Sequence, residues 1–126
     1  MRRVVVTGIG IVSPLGCGVT HNWEKLIKGI SGASLINSFD TSNYKCKIAC
    51  EVPRDTSLPG SFIPEEWIEY KEIKKIDDFI KFALVSSAEC FKNSGLEIKD
   101  ELLSQRSGCI YGSGMGGLPG IEDTSI

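Results

Sequence analysis

The chain has 126 residues, of which 41% are hydrophobic and 24% charged, and its formal net charge is −2 at pH 7. This composition is that of an ordinary globular protein, and the small net charge gives no electrostatic reason to expect nucleic acid or an anionic membrane as a partner. No apolar stretch approaches the ~18–20 residues of a membrane helix, and no secretory signal is visible, so a cytoplasmic protein is predicted.

The N-terminal segment is the most informative part of the chain. Val4–Val6 are three consecutive β-branched residues and predict a buried strand. Gly8 and Gly10 then allow the backbone to pass close to another group, as in a dinucleotide-binding turn. That fingerprint needs a third glycine and a helix, whereas this chain has Ser13 and Pro14. Because proline disfavours helical dihedrals in the preceding residue, a turn is predicted, and a nucleotide-binding domain is the weakest alternative.

The remaining elements follow from periodicity and turn residues. Helices are predicted over 21–28, 65–76 and 78–94, strands over 47–52 and 108–111, an irregular segment over 33–46 with a turn at 39–42, and a surface loop over 53–64. Thr20 is expected to cap the first helix, Asp77 or Asp78 the third, and Gly95 to end the third. The wide apolar stripe of helix 78–94 predicts burial on more than one side. Pro119 is expected to block a long helix after the glycine-rich loop 112–117.

This order of strands and helices predicts an α/β or mixed layered fold. Two core strands cannot cover a helix as apolar as 78–94, so the fold is predicted to be incomplete. Exposing about five large apolar side chains costs on the order of 10 kcal/mol, comparable with the stability of a whole domain. The chain alone is therefore expected to be poorly stable, self-associating or dependent on a complementary chain.

The cysteines are five in number, with wide spacings and no C-x-x-C motif; they are Cys17, Cys46, Cys50, Cys90 and Cys109. An odd number at these spacings predicts free, mostly buried thiols in a reducing compartment. Cys90 in a helix and Cys109 in a strand are expected to be packing residues. Cys46 and Cys50 could supply two metal ligands, but His21 is distant in sequence and no second pair exists, so no metal site is predicted. His21 itself is expected to be exposed and without a catalytic partner.

Several segments, in collinear order, resemble the β-ketoacyl-acyl-carrier-protein synthases. They are V-V-V-T-G-I-G-I-V-S-P-L-G at 4–16, Trp23, S-G-A-S at 31–34, F-D-T-S at 39–42, K-K-I-D-D-F at 74–79, N-S-G at 93–95 and G-S-G-M-G-G at 112–117. Pro14 and the 39–42 segment resemble synthase II more than synthase I. The resemblance implies a partial thiolase-like layered α/β fold, with residues 1–126 as the incomplete N-terminal part of a condensing-enzyme domain.

The resemblance also implies a reaction, decarboxylative Claisen condensation of an acyl thioester with malonyl carrier protein in fatty-acid synthesis. The family's nucleophilic cysteine, in an Ala-Cys-small-small motif, and its two histidines lie beyond the matched region. Ala49-Cys50-Glu51 does not resemble that motif, so no catalytic residue is expected in this chain. The family uses no cofactor, acts on acyl and malonyl forms of acyl carrier protein, and forms homodimers. The alternative is a non-catalytic remnant that binds carrier protein or a full-length subunit.

Four residues are carried over from the family as binding residues. Met115 matches a position that lines the acyl channel; the alternative role is a core gap-filler. Lys71, Lys74 and Lys75, at i, i+3 and i+4 spacing on one side of a helix, match basic positions that contact the acidic carrier protein. Their alternative role is a solvated helix face, and the acidic residues around them dilute the local positive field.

Overall fold

The computed structural model describes residues 2–125, which divide into two compact units. The hairpin unit is Ile11–Ile63, and the helical unit consists of the residues up to Gly10 together with those from Pro64 onward. Among the residues described, no helix is both long and apolar enough to cross a membrane.

The hairpin unit contains two short antiparallel ribbons and one helix. Strands β1 (Val12–Ser13) and β2 (Gly16–Cys17) pair with each other, helix α1 covers Val19–Ile27, and strands β3 (Ser34–Leu35) and β4 (Ile48–Ala49) form the second ribbon. Pro14 and the following residue form the predicted turn between β1 and β2. Helix α1 begins one residue before Thr20, with Gly18 as its N-cap, so the predicted Thr20 cap is wrong.

The helical unit contains a 3₁₀ turn (Pro64–Glu66) and helices α2 (Tyr70–Ile73), α3 (Asp78–Ser94), α4 (Glu101–Gln105) and α5 (Leu118–Thr124). Helix α3 has the predicted bounds: Asp77 is its N-cap, and Gly95 ends it in the left-handed conformation with φ of 64°. Helix α4 was not predicted, although Asp100 caps it by accepting a hydrogen bond from the Leu103 N–H at 2.7 Å. Pro119 lies in the first turn of α5, where a missing N–H costs nothing, so a short helix does follow the glycine-rich loop.

Two predicted core strands do not form. Residues 4–6 and 108–111 have no ladder partner within residues 2–125, and they are exposed. Val4 is 93% exposed and Ile110 98% exposed. A strand is stabilised by its neighbours rather than by its own residues, and neither segment has a neighbour here.

The apolar side chains are far less buried than predicted. Phe62 in the hairpin unit and Val85 in α3 are the fully buried large apolar residues of the described chain. Other positions on the stripe of α3, such as Leu84 and Phe91, remain 45% and 40% exposed, so burial on more than one side is wrong. The predicted apolar face of α1 is likewise open, since Trp23 is 60% exposed.

Candidate functional site

The glycine-rich loop lies beside the N-terminal half of α3 and forms an open cleft of about 350 Å³ with it. Its lining is mostly apolar and consists of Phe79, Ile80, Ala83, Leu84, Ser87, Tyr111, Gly112 and Ser113. A surface of this chemistry accepts an alkyl chain or the apolar side chains of another polypeptide.

A second cleft of about 280 Å³ lies at the start of α3, where Asp77 meets the end of the loop. A β-carbon at Gly117 would overlap the Asp77 carboxylate, and one at Gly120 would lie 2.7 Å from its Oδ2. Both positions therefore require glycine while Asp77 keeps this rotamer. The sequence predicts Asp77 only as a helix cap. Its contact with the loop could have been suspected from the two glycines of the G-L-P-G segment at 117–120.

Met115 lies at the tip of the loop and is 73% exposed. It belongs to neither cleft lining, and the core gap-filling alternative is wrong for the described chain. Its left-handed neighbour Gly116 has φ of 71° and donates its N–H to Ser113 Oγ at 3.1 Å. The hydrogen bond between Gly116 and Ser113 closes a turn around Met115, whose flexible apolar side chain is exposed.

The three lysines do not share one helix, because α2 ends at Ile73. Lys74 is the C-cap of α2, and its ammonium lies 4.4 Å from the centre of the Tyr70 ring. Lys75 pairs with Glu72 at 2.7 Å. Lys71 makes no ion pair with any described residue, so it is the lysine of the three with the least compensated charge. All three are exposed.

The thiols are free, as predicted, but they are not mostly buried. Cys46, Cys50 and Cys109 are exposed, and Cys17 and Cys90 are half-buried. Cys109 lies outside any strand, whereas Cys90 is inside α3 as predicted. Within residues 2–125, no group of three histidine, cysteine or acidic side chains is placed to hold a metal ion.

His21 is partly buried, which corrects the prediction that it is exposed. Its Nε2 is enclosed without a hydrogen-bond partner in the described chain. The imidazole fills the space above Gly16 and Gly60, and a β-carbon at Gly16 would lie 2.6 Å from its Cδ2. The Gly60 carbonyl also accepts the Cys17 N–H at 2.7 Å, so this histidine packs where β2 meets the surface loop.

Gly8 and Gly10 pack closely against the backbone of α3. A β-carbon at Gly10 would lie 2.8 Å from the Cys90 nitrogen, and one at Gly8 would lie 2.7 Å from the β-carbon of Ser94. The Ile9 N–H between them donates to Asn93 Oδ1 at 3.2 Å. The two glycines therefore serve helix packing, which removes the motif that favoured a nucleotide site.

The carboxylates with shifted pKa values all lie in the hairpin unit. The Ser42 hydroxyl, and then its N–H, hold the pKa of Asp40 below its ordinary value. Ser38 and the Asn37 N–H do the same to the pKa of Glu51. These are turn and ribbon contacts with no catalytic geometry.

Comparison with known families gives one match over nearly the whole chain. The family described as "Beta-ketoacyl synthase, N-terminal domain" matches residues 1–125. The chain is 45% identical over 121 residues to 3-oxoacyl-[acyl-carrier-protein] synthase 2 of Coxiella burnetii, which covers 96% of this chain and 27% of the relative. It is 38% identical over 123 residues to the protein of the same name in Rhizobium meliloti, covering 98% of this chain and 29% of the relative.

A solved structure, the ishigamide ketosynthase/chain length factor, is similar with a TM-score of 0.65 at 33% sequence identity. The similarity covers 76% of this chain and 22% of that chain. The chain thus spans less than a third of the length of each of these three proteins.

Proposed function

The chain belongs to the β-ketoacyl synthase family, in which it matches the N-terminal domain. We propose that it takes part in fatty-acid elongation of the 3-oxoacyl-[acyl-carrier-protein] synthase II type. Its proposed role is that of a scaffold without catalytic residues. The observation that carries the proposal is the match to two relatives of that name, each covering 96% or more of this chain. The fold proposed for the complete domain is the layered thiolase-like fold, with residues 1–126 as its N-terminal part. The similarity to a solved ketosynthase supports this architecture.

The proposed reaction has two bond-forming steps. A cysteine thiolate outside this sequence attacks the acyl thioester of carrier protein and forms the acyl-enzyme. The carrier sulfur leaves as a thiolate, which takes a proton from water. Decarboxylation of malonyl carrier protein releases CO₂ and an enolate, which attacks the acyl-enzyme and yields 3-oxoacyl carrier protein and the free thiolate. Two histidines, also outside this sequence, stabilise the developing negative charge.

The cysteines of this chain are proposed to take no part in this chemistry. A nucleophilic thiol needs a neighbouring cation, a histidine or a helix N-terminus to stabilise its thiolate. Cys90 lies near the C-terminal end of α3, and the exposed Cys46 donates to the Ile48 carbonyl at 3.4 Å. Neither cysteine lies at a helix N-terminus. Incubation of the chain with acyl carrier protein, followed by mass spectrometry of each cysteine, should detect no acyl adduct; a specific adduct would contradict this assignment.

A chimaeric enzyme tests the function directly. Residues 1–125 of this chain replace the matched N-terminal segment of the Coxiella burnetii relative, and condensation of acyl with malonyl carrier protein is measured. We expect the chimaera to retain activity, because a scaffold that packs correctly leaves the catalytic residues in place. A folded chimaera that binds both carrier proteins but forms no 3-oxoacyl product would contradict the proposal.

Met115 is proposed to line the acyl channel of the complete domain. Its exposure at the tip of a glycine-rich loop supports this role, because an apolar, flexible side chain there is free to meet an alkyl chain. In the chimaera, Met115→Trp should reduce activity toward long acyl chains more than toward short ones. Equal activity across chain lengths would remove the assignment.

The three lysines are proposed to bind the acidic carrier protein. Lys71 is expected to contribute most, because Lys75 is already paired with Glu72 and Lys74 lies over Tyr70. Replacing all three by glutamate should weaken carrier binding about tenfold or more and reduce its salt dependence, since charge reversal adds repulsion to a lost attraction. The matched control reverses three exposed lysines of the hairpin unit, Lys28, Lys45 and Lys47. Equal affinity of the two triple variants would contradict the assignment.

The second candidate function is that of a non-catalytic remnant that binds carrier protein or a full-length subunit. The observation that favours it is that no cysteine of the sequence stands in the Ala-Cys-small-small context of the family's nucleophile, since Ala49-Cys50 is followed by Glu51. A remnant of this kind predicts that the chain binds carrier protein and that the chimaera is inactive. Measuring carrier binding and chimaera activity therefore separates the remnant from the scaffold of an active synthase. A homodimer of the complete protein and a location in the reducing cytoplasm are part of the proposal, the latter supported by five free thiols.

A further inference from the structure

The first turn of α3 supports the glycine-rich loop with two side chains. The Asp77 carboxylate lies in the space that a β-carbon at Gly117 would fill, and its Oδ2 would lie 2.7 Å from a β-carbon at Gly120. The Phe79 ring belongs to the same turn, and its Cζ would lie 3.9 Å from a β-carbon at Gly116. These glycines therefore let the end of the loop pack directly on the start of α3.

The Asp77 carboxylate does not cap its own helix. An aspartate at the N-cap ordinarily accepts a hydrogen bond from a backbone N–H in the first turn, but the Asp77 side chain makes no such bond. The nearby Lys81 ammonium pairs with Asp78 instead, at 3.1 Å. The half-buried Asp77 side chain is directed at the loop, so its contact with Gly117 and Gly120 is the interaction that explains its rotamer.

Met115 is the residue whose position depends on this support. Its side chain is 73% exposed, so its own packing does little to hold it, and the backbone contacts around it decide where it lies. Before it, Ser113 Oγ accepts the Gly116 N–H at 3.1 Å and closes the turn. After it, the loop rests on Phe79 and Asp77. A displacement of the loop relative to α3 therefore moves Met115 with it.

We propose that Asp77 is a positioning residue, which fixes the glycine-rich loop on α3 and thereby sets, through Met115, the length of acyl chain that the complete enzyme prefers. The inference rests on the proposed function, because it takes from there the role of Met115 in the acyl channel. Asp77 acts through the space that its carboxylate fills. Asparagine has nearly the same shape and should preserve this role, whereas alanine should not.

Methyl NMR of this chain tests the positioning. The sequence has two methionines, Met1 and Met115, so labelling their methyl groups with ¹³C gives two signals, which Met115→Leu assigns. Asp77→Ala should shift and sharpen the Met115 signal, because the loop enters the vacated space and becomes more mobile. Asp77→Asn should leave the signal near its parent position. The matched control, Glu24→Ala, removes an exposed carboxylate of the hairpin unit and should leave the signal unchanged.

Acyl-chain selectivity of the chimaera tests the functional consequence. The quantity measured is kcat/KM with carrier proteins that bear short, medium and long acyl chains. In Asp77→Ala, the ratio of kcat/KM between the most and the least favoured chain should fall about tenfold, because a mobile Met115 limits chain length less strictly. This factor is at the low end of the discrimination that one methylene gives in an apolar pocket. Asp77→Asn should keep the parent ratio, and a loss of stability alone would lower kcat equally for every chain length.

An unmoved Met115 signal in Asp77→Ala would overturn the positioning, whatever the activity. A moved signal with an unchanged kcat/KM ratio would overturn the effect on chain length. If Asp77→Asn behaved like Asp77→Ala in both measurements, the role assigned to the shape of the side chain would be wrong.

Failure of the proposed function gives a different result. The parent chimaera is then inactive, or Met115→Trp leaves its chain-length profile unchanged. In either case the Met115 signal still decides whether Asp77 positions the loop. Conversely, a chimaera whose profile responds to Met115→Trp but not to Asp77→Ala supports the proposed function and contradicts this inference.

Discussion

The contact between Gly10 and α3 offers a direct test of the packing. In Gly10→Ala, the new β-carbon would lie 2.8 Å from the Cys90 nitrogen and 2.9 Å from the Ser86 carbonyl carbon. Both atoms belong to the backbone of α3, which cannot yield without breaking helix hydrogen bonds. Overpacking costs about 1–3 kcal/mol, and we expect the upper end here because no flexible side chain relieves the contact.

A displaced segment 8–10 would also lengthen the hydrogen bond from the Ile9 N–H to Asn93 Oδ1, now 3.2 Å. Gly112→Ala is the matched control, because a β-carbon there has nothing within 4 Å and Gly112 has no positive φ. That control should be neutral or slightly stabilising, by at most about 1 kcal/mol, since alanine restricts the unfolded chain more than glycine.

Urea unfolding followed by circular dichroism at the helix band measures both variants. With a slope of about 1–3 kcal/mol per molar urea, a loss of about 3 kcal/mol lowers the midpoint by roughly 1–3 M. If the parent chain unfolds at a urea concentration too low to define a folded baseline, an excluded osmolyte is added to every sample. The osmolyte raises the urea midpoints of all variants alike and preserves the comparison. Equal midpoints for Gly10→Ala and Gly112→Ala would refute the packing of segment 8–10 on α3.

Two further predictions concern single contacts. Gly117→Ala should destabilise by about 1–2 kcal/mol through overlap with the Asp77 carboxylate. Adding Asp77→Ala should remove most of that cost in a double-mutant cycle measured by urea unfolding, because only the β-carbon of residue 77, at 2.8 Å, remains; an unchanged cost would place the strain elsewhere. Ser42→Ala should raise the pKa of Asp40 toward its ordinary 3.8, because the hydroxyl that lowers it is removed, as carboxyl NMR titration checks. Since the folded-state pKa is depressed, the turn is stabilised above pH 3.8 and loses that stability as the pH falls through the folded pKa. The variant should lose the larger part of this acid sensitivity, because only the hydrogen bond from the residue 42 N–H remains; an unchanged titration would refute the hydroxyl contact.

Helix α3 and the turn at Pro14 were predictable from the sequence, because their causes are local. The spacing of apolar residues and the left-handed Gly95 act within a few residues of the helix they define, and Asp77 occupies the N-cap position without a capping hydrogen bond from its side chain. The same holds for Pro14, which restricts the residue before it. The family resemblance was also readable from the sequence, because ordered motifs survive whether or not their packing partners are present.

The tertiary structure alone decided the fate of the strand-like segments and of the single glycines. Residues 4–6 and 108–111 have strand composition, yet a ladder needs a partner supplied from elsewhere, and composition does not say whether one is within reach. Likewise, the residues near Gly10 in sequence do not predict that it packs against α3. The residues around His21 do not predict that its ring lies over Gly60. Such contacts join residues far apart along the chain, so the three-dimensional path of the backbone determines them.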